Sequence, residues 1–134
     1  MLGSILADFE KFLGIKAIPG SGSYAGYSLL KISDKEEVWI KDANPGVLFR
    51  TILAPLFTKP SMENFYMYLM KANFLGQGTG GGVISLDPSE KFLTLSLHIP
   101  YEVNYRQVRD RFEDFLNYVD FLREEVKTFE AGQH

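Results

Sequence analysis

Gly76, Gly78 and Gly81 satisfy the spacing Gly-x-Gly-x-x-Gly, the pattern with which backbone N–H groups cradle a pyrophosphate. That chemistry needs the glycines to follow a strand and open a helix, so that a helix N-terminus faces the anion. Here the order is reversed. Phe65, Tyr68, Leu69 and Ala72 recur at helical steps before the glycines, and apolar alternation follows them. There is no Gly-Lys-Ser/Thr either, so the glycines read as a helix-to-strand turn. Metal chemistry has only His98 and His134, with no cysteine, and neither belongs to a spaced ligand set. His98 shares its strand face with Thr94 and Ser96, which reads as a polar face. The serines of GSGSYAG at 20–26 lack Gly-x-Ser-x-Gly spacing. Carboxylates are dense from Asp110 to Glu125, but they interleave with Arg106, Arg109, Arg111 and Arg123 at pairing distance, which is the pattern of a solvated helix face. The expectation is a protein without catalytic residues, bound cofactor or metal.

The elements around these residues are strongly patterned. Leu2, Ile5, Leu6, Phe9, Phe12 and Leu13 make one stripe of a helix that Gly14 should cap. KAIPGSGS between Ile15 and Ser23 has no periodicity and is expected to be loop. Tyr24–Ser33 and Val38–Ile40 flank a polar Asp34-Lys35-Glu36 turn, predicting a hairpin, and Val47–Leu53 predicts a third strand ending before Pro55. Ser61 should cap a helix from Met62 to Leu75. Ile84 and Leu86 alternate with their neighbours, as do Leu93, Leu95, Leu97 and Ile99, and Asp87-Pro88-Ser89-Glu90 supplies the turn of a second hairpin. Asn104 with Gln107 forms a capping box, with Val103 and Val108 as its staple, opening a helix whose stripe is Val108, Phe112, Phe115, Leu116, Val119, Leu122 and Val126. The tail 128–134 is expected to fray. The order α-β-β-β-α-β-β-α predicts an α+β fold on a twisted antiparallel sheet.

With 134 residues, one domain, 1–134, with its own core is expected. The net charge of −3 argues against a phosphate-binding footprint, so nucleic acid is not an expected partner. No apolar run reaches the ~18 residues of a membrane span, and MLGSILADFEKFLG lacks the basic start of a signal peptide, so neither membrane insertion nor export is expected. The chain carries 11 Phe and 7 Tyr besides Trp39, which is much for one small core to hide. Tyr24, Tyr27, Trp39, Phe49, Tyr66, Tyr118 and Phe121 together favour a protein that binds another protein. The 61–75 helix is also apolar beyond one stripe, and two-fold self-pairing is the commonest cover for such a surplus.

From Leu56 to Val126 the chain has a helix ending KANFLG, a glycine loop ending GGG, a strand ending LDPSE, and an apolar strand followed by a long amphipathic helix. In these features it resembles the small class I chaperones of type III secretion in Gram-negative bacteria. It implies a cytoplasmic protein that acts without nucleotide, as a homodimer or paired with a related chaperone. Such proteins hold the N-terminal segment of a secreted effector in extended form and keep it secretion-competent, with the secretion apparatus as a further partner. The alternative is a regulator that sequesters a transcription factor or RNA polymerase subunit. On this reading Phe65, Tyr68, Leu69 and Ala72 are the expected dimer interface. Ile5, Phe9, Leu13, Tyr27, Leu29, Trp39 and Phe49 are the expected effector-binding residues.

Overall fold

The computed structural model describes residues 2–76 and 78–132. Their order is α1 (Leu2–Leu13), β1 (Ile18–Pro19), a 3-10 turn (Gly22–Tyr24), β2 (Ser28–Lys31), β3 (Glu37–Asp42), β4 (Val47–Pro55), α2 (Glu63–Asn73), a second 3-10 turn (Phe74–Gly76), β5 (Val83–Leu86), β6 (Phe92–Ile99) and α3 (Tyr105–Glu130). The strands belong to one sheet of spatial order β1-β2-β3-β4-β6-β5. This is the α+β class that the patterning predicts. The chain divides into two compact units, Met1–Thr51 with Leu97–Glu113, and Ile52–Ser96 with Asp114–His134, so β4, β6 and α3 each run through both.

In the first unit, α1 ends as its sequence dictates. Gly14 takes φ +69° and the Ile15 N–H reaches back to the Glu10 carbonyl at 3.1 Å, which satisfies a carbonyl the helix would otherwise leave open. Ile5 and Phe9 are its buried positions, with Leu30, Val38, Ile40, Val47, Phe49, Ile99, Val108 and Phe112 in the same unit's core. Phe112 receives two rings edge-on, Phe9 at 5.0 Å and Phe49 at 5.3 Å, the arrangement that opposes the ring quadrupoles favourably. The capping box at the start of α3 is reciprocal, Asn104 N–H to Gln107 Oε1 at 3.0 Å and Gln107 N–H to Asn104 Oδ1 at 2.9 Å. Two expectations need correction here. The segment 15–23 is not structureless, because Ile18–Pro19 pairs antiparallel with Ser28–Leu29. Nor does a strand run from Tyr24, since Gly22 and Gly26 sit at φ +60° and +86° and the chain turns there through i to i+3 bonds before entering β2.

In the second unit, β5 and β6 pair with Val83 opposite Ser96 and Leu86 opposite Leu93, the expected hairpin. Its turn is closed by Asp87, whose Oδ1 accepts the N–H groups of Lys91 and Phe92, each at 3.0 Å. Ser89's hydroxyl above all, then these backbone donors, holds the Asp87 carboxyl below the usual carboxylate range. Helix α2 starts later than its sequence suggests. Met62 is the capping position without a side-chain bond, because the Ser61 hydroxyl turns to the Glu63 carboxylate at 2.7 Å. It also ends earlier, at Asn73, where a 3-10 turn takes over. Helix α3 runs to Glu130, past the Thr128 at which fraying is expected to begin. The Phe129 ring packs against Phe65 at 5.2 Å and Tyr68 at 5.1 Å, which holds the last turn, while residues 133–134 lie outside the described part.

Candidate partner-binding surfaces

The glycine loop is closed upon itself. The N–H groups of Thr79 and Gly81 donate to the Gly76 carbonyl, that of Gly82 to Thr79, and that of Gly78 back to Ala72 in α2. Donors committed in this way cannot cradle a phosphate. A Cβ on Gly80 would stand 2.3 Å from the Tyr118 ring, and Gly80 and Gly81 have φ of +63° and +90°, so the loop needs glycine for close approach and left-handed backbone. Gln77 lies outside the described residues.

No group of three or more His, Asp or Glu among the described residues could hold a metal ion. His98 is exposed, but its supposed polar face is not a surface throughout, because Thr94 is buried and shares a 2.9 Å hydroxyl contact with Ser85. A shallow cleft of about 220 Å³ is lined by Phe57, Lys59, Ser61, Asn64, Phe65, Phe129 and Gly132. Its lysine donates to the Phe129 carbonyl at 3.3 Å and its serine to the Glu63 carboxylate at 2.7 Å. On α3, Arg123 does not serve a carboxylate ladder alone. It donates to the Ile52 carbonyl at 2.7 Å and to that of Leu53 at 3.0 Å, tying the helix to β4.

What remains are apolar surfaces. On α2, Phe65 and Ala72 are buried and Tyr68 and Leu69 half-buried, so the stripe expected to pair two chains is the helix's inward face. Burial first, then the charge and hydrogen bond of Glu125, pushes the Tyr68 phenol up to about 12, which suits a ring held inside its own unit. The outward apolar residues are Tyr66, Met67 and Met70 of α2 and Phe74 just past its end, with Met70 73% and Phe74 63% exposed. This second set was visible in the sequence only as surplus, and no periodicity rule says which of two apolar sets faces in. At its C-terminal end α2 is tied to β5, the last strand in the sheet order. The Asn73 amide bonds both backbone groups of Ile84, accepting from its N–H at 2.7 Å and donating to its carbonyl at 2.9 Å. That is what a further strand would do, so Asn73 of KANFLG satisfies an edge while leaving Val83 and Leu86 exposed beside it.

In the first unit the effector-binding set divides. Ile5, Phe9, Leu29 and Phe49 are buried within the chain in the absence of any partner. For Phe49, whose ring meets Phe112 of α3, the reason is that a half-buried sheet spends its most regular apolar positions on its own helix-covered face. Leu13, Tyr27 and Trp39 are half-buried. Ile18, Leu29, Trp39 and Arg50 stand opposite one another across β1 to β4 and so share one face of the sheet. Tyr24, one of the surplus aromatics, stacks on Trp39 with centroids 4.4 Å apart and 16° between planes.

Among the described residues, apolar and aromatic surface is left open on a small α+β scaffold. Residues 4–123 match the Tir chaperone protein (CesT) family, and the chain belongs to that family. It is the family of type III secretion chaperones that the sequence resembles. Comparison with curated proteins finds no significant match. Among solved structures, the fold is similar to a chain from the HopA1–SchA chaperone–effector complex. The TM-score is 0.68 at 16% identity, covering 92% of this chain and 93% of that one. No described helix is long and apolar enough to cross a membrane.

Proposed function

We propose that this protein is a cytoplasmic type III secretion chaperone that binds the N-terminal segment of a secreted effector in extended form and keeps it competent for secretion. The observation that carries the reading is the family match over residues 4–123. The surfaces agree with it. An unfolded segment can be held by apolar pockets and strand edges through side-chain burial and main-chain bonds, a task that needs no catalytic residue, nucleotide or metal. The protein works as a dimer, with itself or a related chaperone, through the outward residues Tyr66, Met67 and Met70 of α2, Phe74 just past its end, and the neighbouring Val83 and Leu86. The secretion apparatus is its second point of contact.

Co-purification from the native cytoplasm tests this. The tagged chain should bring down a larger secreted protein, and deleting that protein's N-terminal segment should abolish capture. Recovery of an RNA polymerase subunit or transcription factor in its place would establish the regulatory alternative and overturn the chaperone reading.

A further inference from the structure

Leu29 is 7% exposed although register places it beside Trp39, on the opposite face of β2 from the fully buried Leu30. On this face the loop from Gly20 to Tyr27 meets Trp39, through the stacked ring of Tyr24. The loop is closed by the Gly20 N–H to the Tyr27 carbonyl at 2.9 Å. A Cβ on Gly20 would lie 2.2 Å from the Tyr24 carbonyl and 3.0 Å from Trp39 Cζ3, so the chain at Gly20 runs close to the Tyr24 backbone and the Trp39 ring. Among residues 21–26, Tyr24 alone is turned inward and the other five are exposed. Gly22 and Gly26, both at positive φ, flank it as hinges. Tyr27 is held separately by the Lys41 ammonium, 5.3 Å from its ring centroid, and meets Tyr24 edge-on at 5.5 Å. Arg50, next to Trp39 in the row, has a buried Nε with no hydrogen-bond partner among the described residues.

We infer that the face formed by Leu29, Trp39 and Arg50 is a docking site for an aromatic side chain on an extended partner segment, and that Tyr24 occupies it in the free protein. This rests on the proposed chaperone function. In this exchange the Tyr24 ring leaves Trp39 while the β2–β3 pairing beneath is kept, the residues on either side of Tyr24 being exposed and Gly22 and Gly26 free to change φ. The exchange is aromatic for aromatic, so the stack on Trp39 is kept. An extended segment also brings backbone carbonyls, and one of these suits the donor at Arg50. While Tyr24 is docked, the apparent affinity for the partner is reduced by the fraction of molecules whose site is open. The bare aromatic row is meanwhile kept from meeting other copies of itself.

Trp39 is the single tryptophan of the chain and reports on its own site. The probe is N-acetyl-L-tyrosinamide, titrated into the wild-type protein and into Tyr24→Gly while Trp39 emission is followed. Tyr24→Gly should show a saturable change. Wild type and Tyr24→Phe should respond only at about tenfold higher concentration or beyond the measurable range, because a tethered occupant competes at an effective concentration of roughly millimolar. N-acetyl-L-leucinamide should bind Tyr24→Gly more weakly. Equal titration of wild type and Tyr24→Gly, no titration of either, or equal response to the two amides would overturn the inference. So would loss of cooperative unfolding in Tyr24→Gly, since Tyr24 would then be part of the fold and not an exchangeable occupant. The probe is not the effector, so a negative result leaves the co-purification experiment standing, and a failed co-purification leaves the vacated site measurable.

Discussion

Replacing Phe9 with alanine separates a core residue from a groove residue. The ring is 1% exposed and meets Tyr105 edge-on at 5.2 Å and Phe112 at 5.0 Å. Truncating a buried phenylalanine costs about 3–5 kcal/mol, and aromatic pairs add about 0.5–1.5 kcal/mol beyond their buried area, so the upper part of the range is expected. Helix α1 has 12 residues, too few to hold together alone, so loosening its anchor loosens the whole helix. Against a total stability of about 5–15 kcal/mol this is a large share, and at roughly 3–5 °C per kcal/mol for this chain length the melting temperature should fall by roughly 10–20 °C. Urea unfolding followed by circular dichroism should show a lower midpoint at unchanged slope. Phe12 is the control on the same helix. It is 58% exposed with the Arg109 guanidinium 5.5 Å from its ring centroid, so Phe12→Ala should cost about 1 kcal/mol or less. If Phe9→Ala melts like the parent yet no longer retains the partner, Phe9 walls a groove and the packing argument is wrong.

The two faces of α2 should respond oppositely to charge. Met70→Asp should keep the parent's melting within about 0.5 kcal/mol but shift the sedimenting mass from dimer to monomer, whereas Phe65→Asp should unfold the chain. A wild-type chain that sediments as a monomer at about tens of micromolar, where an association worth roughly 6–8 kcal/mol would show, refutes self-pairing and leaves a related chaperone as the partner. Gly81→Val places a β-branched residue at φ +90°, so it should cost about 1–3 kcal/mol in a thermal melt. Unchanged melting with loss of phosphate binding by calorimetry would restore a ligand role to the loop.

The elements were legible wherever the sequence carried a cap or an unambiguous period. Gly14, the Asn104/Gln107 box and the Asp87 turn each state their geometry in local chemistry, and each is found as read. Boundaries failed where one polar side chain had a choice. Ser61 had a carboxylate two residues on and took it in preference to the helix N-terminus. β1 was illegible because two residues, Ile18 and Pro19, carry no period, and they pair only because β2 offers an edge. The last turn of α3 looked like a fraying tail because the rings that hold Phe129 come from α2, more than fifty positions away.

The binding surface was harder to read than the fold for a physical reason that α2 makes plain. Periodicity measures how well apolar residues line up along a helix, and the best line, Phe65, Tyr68, Leu69 and Ala72, is what a helix needs to pack on its own domain. A partner-binding stripe competes for the remaining positions, so it shows as a surplus of Tyr and Met outside that line. Tyr66, Met67, Met70 and Phe74 fit that description, and methionine's flexible thioether suits a surface that must adapt to whatever covers it. The sheet repeats the lesson. Phe49 and Leu30 alternate regularly and are core, while Trp39 lies out of phase with Val38 and Ile40 and stays half-open beneath Tyr24. On the proposed function, the residues that break the pattern of the core are the ones left to hold another chain.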